Sequence, residues 1–120
     1  MTPGRGPIAI IEDDESVSRA LARVVRSLGY EVGLFPSGEA FLRAEPERAP
    51  AAMLLDLHLP GLQGAPLIAR LRALAPGARI IVMTGRDSPG AREACLAAGA
   101  AAYVRKPMPR ATLDALLTGA

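Results

Sequence analysis

The sequence predicts an α/β domain in which five strands alternate with five helices and form a doubly wound parallel sheet. Three observations carry this prediction. Apolar runs at 8–11, 51–55 and 80–83 are continuous rather than alternating, as expected of parallel strands covered on both faces. Stretches with apolar residues at helical spacing separate them, punctuated by short Gly/Pro segments. The 120 residues have room for five such strand–helix units and match the length of one domain.

Ile8-Ala9-Ile10-Ile11 reads as the first strand. Val17, Leu21, Val24, Val25 and Leu28 then mark the first helix, which Gly29 stops. Tyr30-Glu31-Val32-Gly33-Leu34 alternates, which suits an edge strand. Ser37 can cap a short second helix through Phe41 that ends before Pro46. After the strand at 51–55, Leu67, Ile68, Leu71 and Leu74 make a third helix, with Pro66 near its first position and Pro76-Gly77 behind it. After the strand at 80–83, Ser88-Pro89 opens a fourth helix that ends at Gly99. The fifth strand is 101–105, and Leu113, Leu116 and Leu117 mark the fifth helix.

The flavodoxin-like strand order 2-1-3-4-5 fits this (βα)5 pattern and places strand 1 beside strand 3. Ligands of such sheets bind outside the carboxyl ends of the strands, where the winding direction switches. Residues 1–120 are expected to form a single domain with a core over about 7–118 and a flexible N-terminus over 1–6. No second domain is expected after the last helix.

Composition narrows the function. Half the residues are hydrophobic, yet Tyr30, Phe35, Phe41 and Tyr103 are the only aromatics, so the core is aliphatic and alanine-rich. A net charge of +2 from scattered basic residues argues against direct nucleic-acid binding. The lone Cys95 excludes an internal disulfide and suits a reducing compartment. No apolar h-region occurs in residues 1–7 and no run approaches membrane-spanning length, so a soluble, cytoplasmic chain is expected.

Four apolar strands run straight into polar residues: Glu12-Asp13-Asp14, Asp56, Thr84 and Lys106-Pro107. On one edge of a parallel sheet these form a chemical set. Two unit charges 4 Å apart repel by about 4 kcal/mol at an effective dielectric near 20, so Glu12, Asp13 and Asp56 need a counter-ion. Mg²⁺ suits them, because it takes oxygen ligands and keeps several waters; Mn²⁺ can stand in for it. A carboxylate such as Asp56 can attack phosphorus, and phosphoryl transfer needs mainly positioning and charge neutralisation. Thr84 and Lys106 suit the phosphoryl oxygens. Thirteen of the fourteen basic residues are Arg, which singles out Lys106 as the one compact, freely rotating ammonium. Taken singly, each group has an ordinary reading as a helix cap, turn residue or solvated loop side chain. Those readings would have to coincide at four strand ends.

These residues resemble the receiver domains of two-component response regulators over essentially the whole chain, from Ile8 to Leu117. Ile-Ile-Glu-Asp-Asp-Glu-Ser-Val is similar to the family's first strand and acidic loop. Leu-Leu-Asp-Leu-His-Leu-Pro-Gly is similar to its phosphoacceptor loop. Met-Thr-Gly resembles the switch position, and Tyr-Val-Arg-Lys-Pro the lysine-bearing strand. The resemblance implies that Asp56 is the phosphoacceptor, that Asp13 binds the metal directly and Glu12 through water, and that the backbone carbonyl of His58 is another ligand. Asp14, one position late, belongs to the loop. Thr84 is implied as the switch, Lys106 as the phosphate contact, and Tyr103 as the aromatic whose rotation accompanies Thr84. His58 and Arg86 stand where the family tunes phosphoryl lifetime. Met108 departs from the aromatic that commonly follows Lys-Pro.

The function so implied is a phosphorylation-dependent signalling switch rather than a turnover enzyme. A sensor histidine kinase or a histidine phosphotransfer protein would supply the phosphoryl group. The face built from the fourth helix, fifth strand and fifth helix would read it out to a downstream protein or form a homodimer. The fourth helix, with Pro89 and Gly90 expected in its first turn and little beyond alanine to pack, is expected to be marginally stable. Arg92, Arg105 and Arg110 could line the output face, and Arg19, Arg23 and Arg26 could meet the donor. Two alternatives use parts of the same residue set. A haloacid-dehalogenase-type phosphatase would need its nucleophile on the first strand and a second Asp where His58 stands. A receiver that binds partners without phosphorylation would not need the full set. A nucleotide or flavin module would need a glycine-rich loop after strand 1.

Overall fold

In the computed structural model, residues 5–44 and 48–119 are described. Strands β1 (Arg5–Ile11), β2 (Tyr30–Phe35), β3 (Ala52–Asp56), β4 (Arg79–Thr84) and β5 (Ala102–Arg105) alternate with helices α1 (Glu15–Ser27), α2 (Gly38–Ala44), α3 (Gly64–Leu74), α4 (Ala91–Ala98) and α5 (Arg110–Thr118). All strand pairs are parallel, and the order is β2-β1-β3-β4-β5. The predicted architecture and order are therefore the observed ones.

Because side chains alternate across a strand, the apolar runs feed two cores at once. On one face Ala9, Ile11, Met53, Leu55, Ile80 and Val82 belong to a cluster with Phe41 of α2, Leu67, Ile68 and Leu71 of α3, and Cys95 of α4. On the other, Ile8, Ile10, Leu54, Ile81 and Met83 share a cluster with Ala22 and Val25 of α1 and Leu113 and Leu117 of α5. β3 is buried at every position, which explains its unbroken hydrophobicity. Tyr30-to-Leu34 alternation fits the exposed edge position of β2. The Arg110 guanidinium also donates to the Ser27 hydroxyl, tying the start of α5 to the end of α1.

Local signals place the helix ends. Asp14 caps α1 by accepting from the Val17 amide at 3.1 Å, and Gly29 follows the helix at φ 98°. The Ser37 hydroxyl accepts from the Ala40 amide at 3.0 Å at the start of α2. The fourth helix differs from expectation. It begins at Ala91, because Gly90 at φ 77° breaks helical geometry and leaves Pro89-Gly90 in the preceding turn. Strand β1 begins at Arg5, so residues 5 and 6 of the expected flexible N-terminus are strand; residues 1–4 lie outside the described residues. The Pro46 stop also lies outside them. No helix of the described residues is long and apolar enough to cross a membrane.

Backbone pairing runs one residue past the strand ends and aligns the residues beyond them. The Glu12 amide donates to the Phe35 carbonyl, Leu57 to Met83, and Lys106 to Thr84. Glu12 after β1, Asp56 and Thr84 at the ends of β3 and β4, and Lys106 after β5 therefore meet at the carboxyl edge of the sheet.

Candidate functional site

The edge brings three carboxylates together. One ligand oxygen each from Glu12, Asp13 and Asp56 lies within 4.8 Å of the others. Glu12 and Asp56 are buried, 3% and 6% exposed, whereas Asp13 faces solvent. Lys106 enters from the end of β5 and is the counter-charge: its Nζ is 2.5 Å from Glu12 Oε1 and 3.4 Å from Asp56 Oδ1. Burial alone would depress the ammonium pKa. The hydrogen bond to Glu12 and the charges of Asp56 and Glu12 outweigh it and leave Lys106 above its ordinary value. The Lys106-Pro107 peptide bond is cis.

The carboxylates fit a hard, oxygen-seeking cation. Mg²⁺ takes oxygen ligands and keeps several of its waters, which suits a cluster of carboxylates of this kind.

Thr84, fully buried, makes no hydrogen bond to Asp56 among the described residues. Its hydroxyl donates to the Arg86 carbonyl at 2.5 Å and accepts from the Arg86 amide at 3.0 Å. His58 meets the same carbonyl: its Nε2 lies 3.1 Å from Arg86 O, while its amide donates to Asp56 Oδ1 at 3.4 Å. The imidazole thus bridges the loops after β3 and β4. Tyr103 is 8% exposed and donates its hydroxyl to Asp87 Oδ1 at 2.9 Å. Burial first, then that bond, pushes the phenol pKa up.

Two contributors carry no motif and are not identifiable from sequence. Asp87, three residues beyond Thr84, receives Tyr103 and pairs with Arg105. Glu39 of α2 accepts the Leu62 amide at 3.0 Å and so fastens the loop after β3. That backbone bond, before any other effect, holds the Glu39 carboxyl below its ordinary pKa. Gly61, at φ 70°, leaves no room for a Cβ against the Glu39 carboxylate. Only proximity across 23 residues identifies the Glu39 contact, so no local spacing could have revealed it.

Comparisons with known proteins identify the family of chains that this one is similar to. The family model described as "Response regulator receiver domain" matches residues 8–118. The transcriptional regulatory protein PrrA of Mycobacterium tuberculosis is 35% identical over 108 residues, which cover 90% of this chain and 46% of that protein. The chain spans about half the length of such curated relatives. Among solved structures, a Burkholderia pseudomallei response regulator with a phosphorylated aspartic acid, a calcium ion and citrate is 31% identical. It has a TM-score of 0.86 and covers 94% of this chain and 66% of that one. The receiver domain of a Pseudomonas aeruginosa sensor histidine kinase, with magnesium in its active-site cleft, is 34% identical. Its TM-score is 0.82, with 95% of each chain covered.

Proposed function

The chain belongs to the response regulator receiver family, and on that premise we propose that Asp56 accepts a phosphoryl group from a phosphohistidine donor. Members of this family are signalling switches in two-component systems rather than turnover enzymes, which sets the phosphatase alternative aside. The observation that carries the residue assignment is the convergence of Glu12, Asp13, Asp56 and Lys106 at the switch point of the sheet.

In the proposed step an Asp56 carboxylate oxygen forms a bond to phosphorus as the phosphorus–nitrogen bond of the donor breaks. The electron pair of that bond leaves with the imidazole. Asp13 would hold Mg²⁺ directly and Glu12 through water, with Asp56 and the His58 carbonyl completing the protein ligands; Mn²⁺ would serve in its place. When bound, the ion would neutralise charge on the phosphoryl oxygens. Lys106, 3.4 Å from Asp56 Oδ1, is placed to exchange its carboxylate partner for a phosphoryl oxygen. Thr84 would exchange the Arg86 carbonyl for another. The α4–β5–α5 face, on which Tyr103 lies, would carry the result outward.

The donor is proposed to be a sensor histidine kinase or histidine phosphotransfer protein, in the cytoplasm. Curated relatives named as transcriptional regulators are about twice as long, so a transcription-regulating domain is the proposed target of the switch. Homodimerisation through the α4–β5–α5 face is a second form of output.

Incubation with acetyl phosphate and Mg²⁺, read by intact mass, tests the central step. A single phosphoryl adduct is expected on the parent chain and none on Asp56→Asn. An adduct that survives in Asp56→Asn, or none on the parent, would rule the assignment out.

A further inference from the structure

Polar contacts hold Tyr103 at two points. Its hydroxyl donates to Asp87 Oδ1 at 2.9 Å, and its carbonyl accepts from Arg92 Nη1 at 3.3 Å. The second oxygen of Asp87 pairs with Arg105 Nη1 at 3.3 Å. That ion pair is exposed and weak in itself, but it orients the carboxylate toward the ring. The ring belongs to the core cluster under α3 and α4.

The packing is open on the solvent side of the ring. Beside it lies an open cleft of about 570 Å³, walled by Asp87, Ser88, Gly90, Arg92, Tyr103 and Arg105. The ring therefore has space on the solvent side, and the bond to a carboxylate, stronger than one between neutral groups, holds it inward. Thr84 meanwhile gives its hydroxyl to the Arg86 carbonyl and not to Asp87. The two side chains that the family resemblance links in one motion are thus held by separate partners.

We infer that Asp87 is a positioning residue that seats Tyr103 inward in the unmodified chain, so that the Asp87–Arg105 pair, and not Thr84, sets the place of the ring. A partner reading β5 would then meet an inward Tyr103 whichever way Thr84 points. The signal would pass through the loop from Gly85 to Gly90 and α4 rather than through rotation of the aromatic. This consequence rests on the switch function proposed above; the seating of the ring does not.

The chain carries only Tyr30 and Tyr103, so 3-fluorotyrosine labelling yields two ¹⁹F resonances, and the H2O/D2O isotope shift of each reports solvent access. Tyr103 is expected to be shielded in the parent chain. Loss of its charged acceptor in Asp87→Ala should raise the isotope shift about threefold or more. Asp87→Asn keeps an acceptor and should stay near the parent value. Thr84→Ala should leave the resonance in place. The Tyr30 signal, unchanged throughout, certifies the fold. A Tyr103 that is already solvent-exposed in the parent, that ignores Asp87→Ala, or that follows Thr84→Ala overturns the inference.

A second arm adds acetyl phosphate and Mg²⁺, with intact mass read in parallel. A missing adduct counts against the phosphoacceptor assignment and leaves the first arm intact. An adduct that moves Tyr103 as far as Asp87→Ala does overturns the present inference.

Discussion

Lys106 sits between two buried carboxylates, and its raised pKa makes it a stabilising cation with a definite pH window. A group whose folded pKa lies above its unfolded value contributes stability that is complete below the unfolded value, near 10.5. That stability is lost as pH rises through the folded value. We predict that the difference in denaturant midpoint between the parent and Lys106→Met narrows above that pH and stays constant from pH 7 to 9. Lys106→Met should still form the Asp56 adduct but lose the response of a partner that reads phosphorylation. A second prediction concerns His58, whose ring meets the Arg86 carbonyl that Thr84 also uses. If His58 acts through that loop, His58→Phe changes adduct lifetime in the parent but not in a Thr84→Ala background. Equal effects in both backgrounds would place the imidazole at the phosphoryl group itself.

At the scale of elements, α4 is the least anchored segment near the site. Cys95 is its only buried residue, whereas α3 buries Leu67, Ile68 and Leu71. Local opening is governed by such differences in buried apolar contact. Amides of α4 are therefore expected to exchange with solvent about tenfold faster than those of α3 in native-state hydrogen exchange. Gly90→Ala tests the turn that starts the helix. Nothing lies within 4 Å of the position, but φ is 77°, so the cost is conformational, about 1–2 kcal/mol in a denaturant titration. An unchanged midpoint would mean that the turn relaxes around the new methyl group.

For the whole molecule, the opposition between a buried apolar sheet and an acidic edge predicts how stability responds to ions. A cation bound by the folded chain alone stabilises it by about 2.7 kcal/mol at one hundred times its dissociation constant. Mg²⁺ should therefore raise the melting temperature of the parent, and Asp13→Asn should weaken or remove that rise. Leu54→Ala, at a fully buried position in the central strand, should cost about 2–5 kcal/mol whether or not Mg²⁺ is present. A loss that depended on Mg²⁺ would link the core to the edge more tightly than the packing indicates.

The fold is legible in the chain because its signals are local and periodic. Continuous runs such as Met53-Leu54-Leu55 announce strands buried on both faces, and Leu67, Ile68 and Leu71 announce a helix face. The polar residues ending these runs are legible too, since the topology of a parallel sheet carries every strand end to one edge. The start of α4 departs from expectation because Ser88-Pro89 is a helix-opening pattern, whereas the left-handed Gly90 postpones the helix. The sequence by itself determined the alternation of strands and helices and the residue types that end the strands, with 2-1-3-4-5 as the common order that fits them. Only the tertiary structure decided that Lys106 spans Glu12 and Asp56, that His58 and Thr84 share the Arg86 carbonyl, and that Asp87 receives Tyr103. These partners depend on side-chain direction at distances of about 3 Å, while periodicity in a chain specifies only faces and ends.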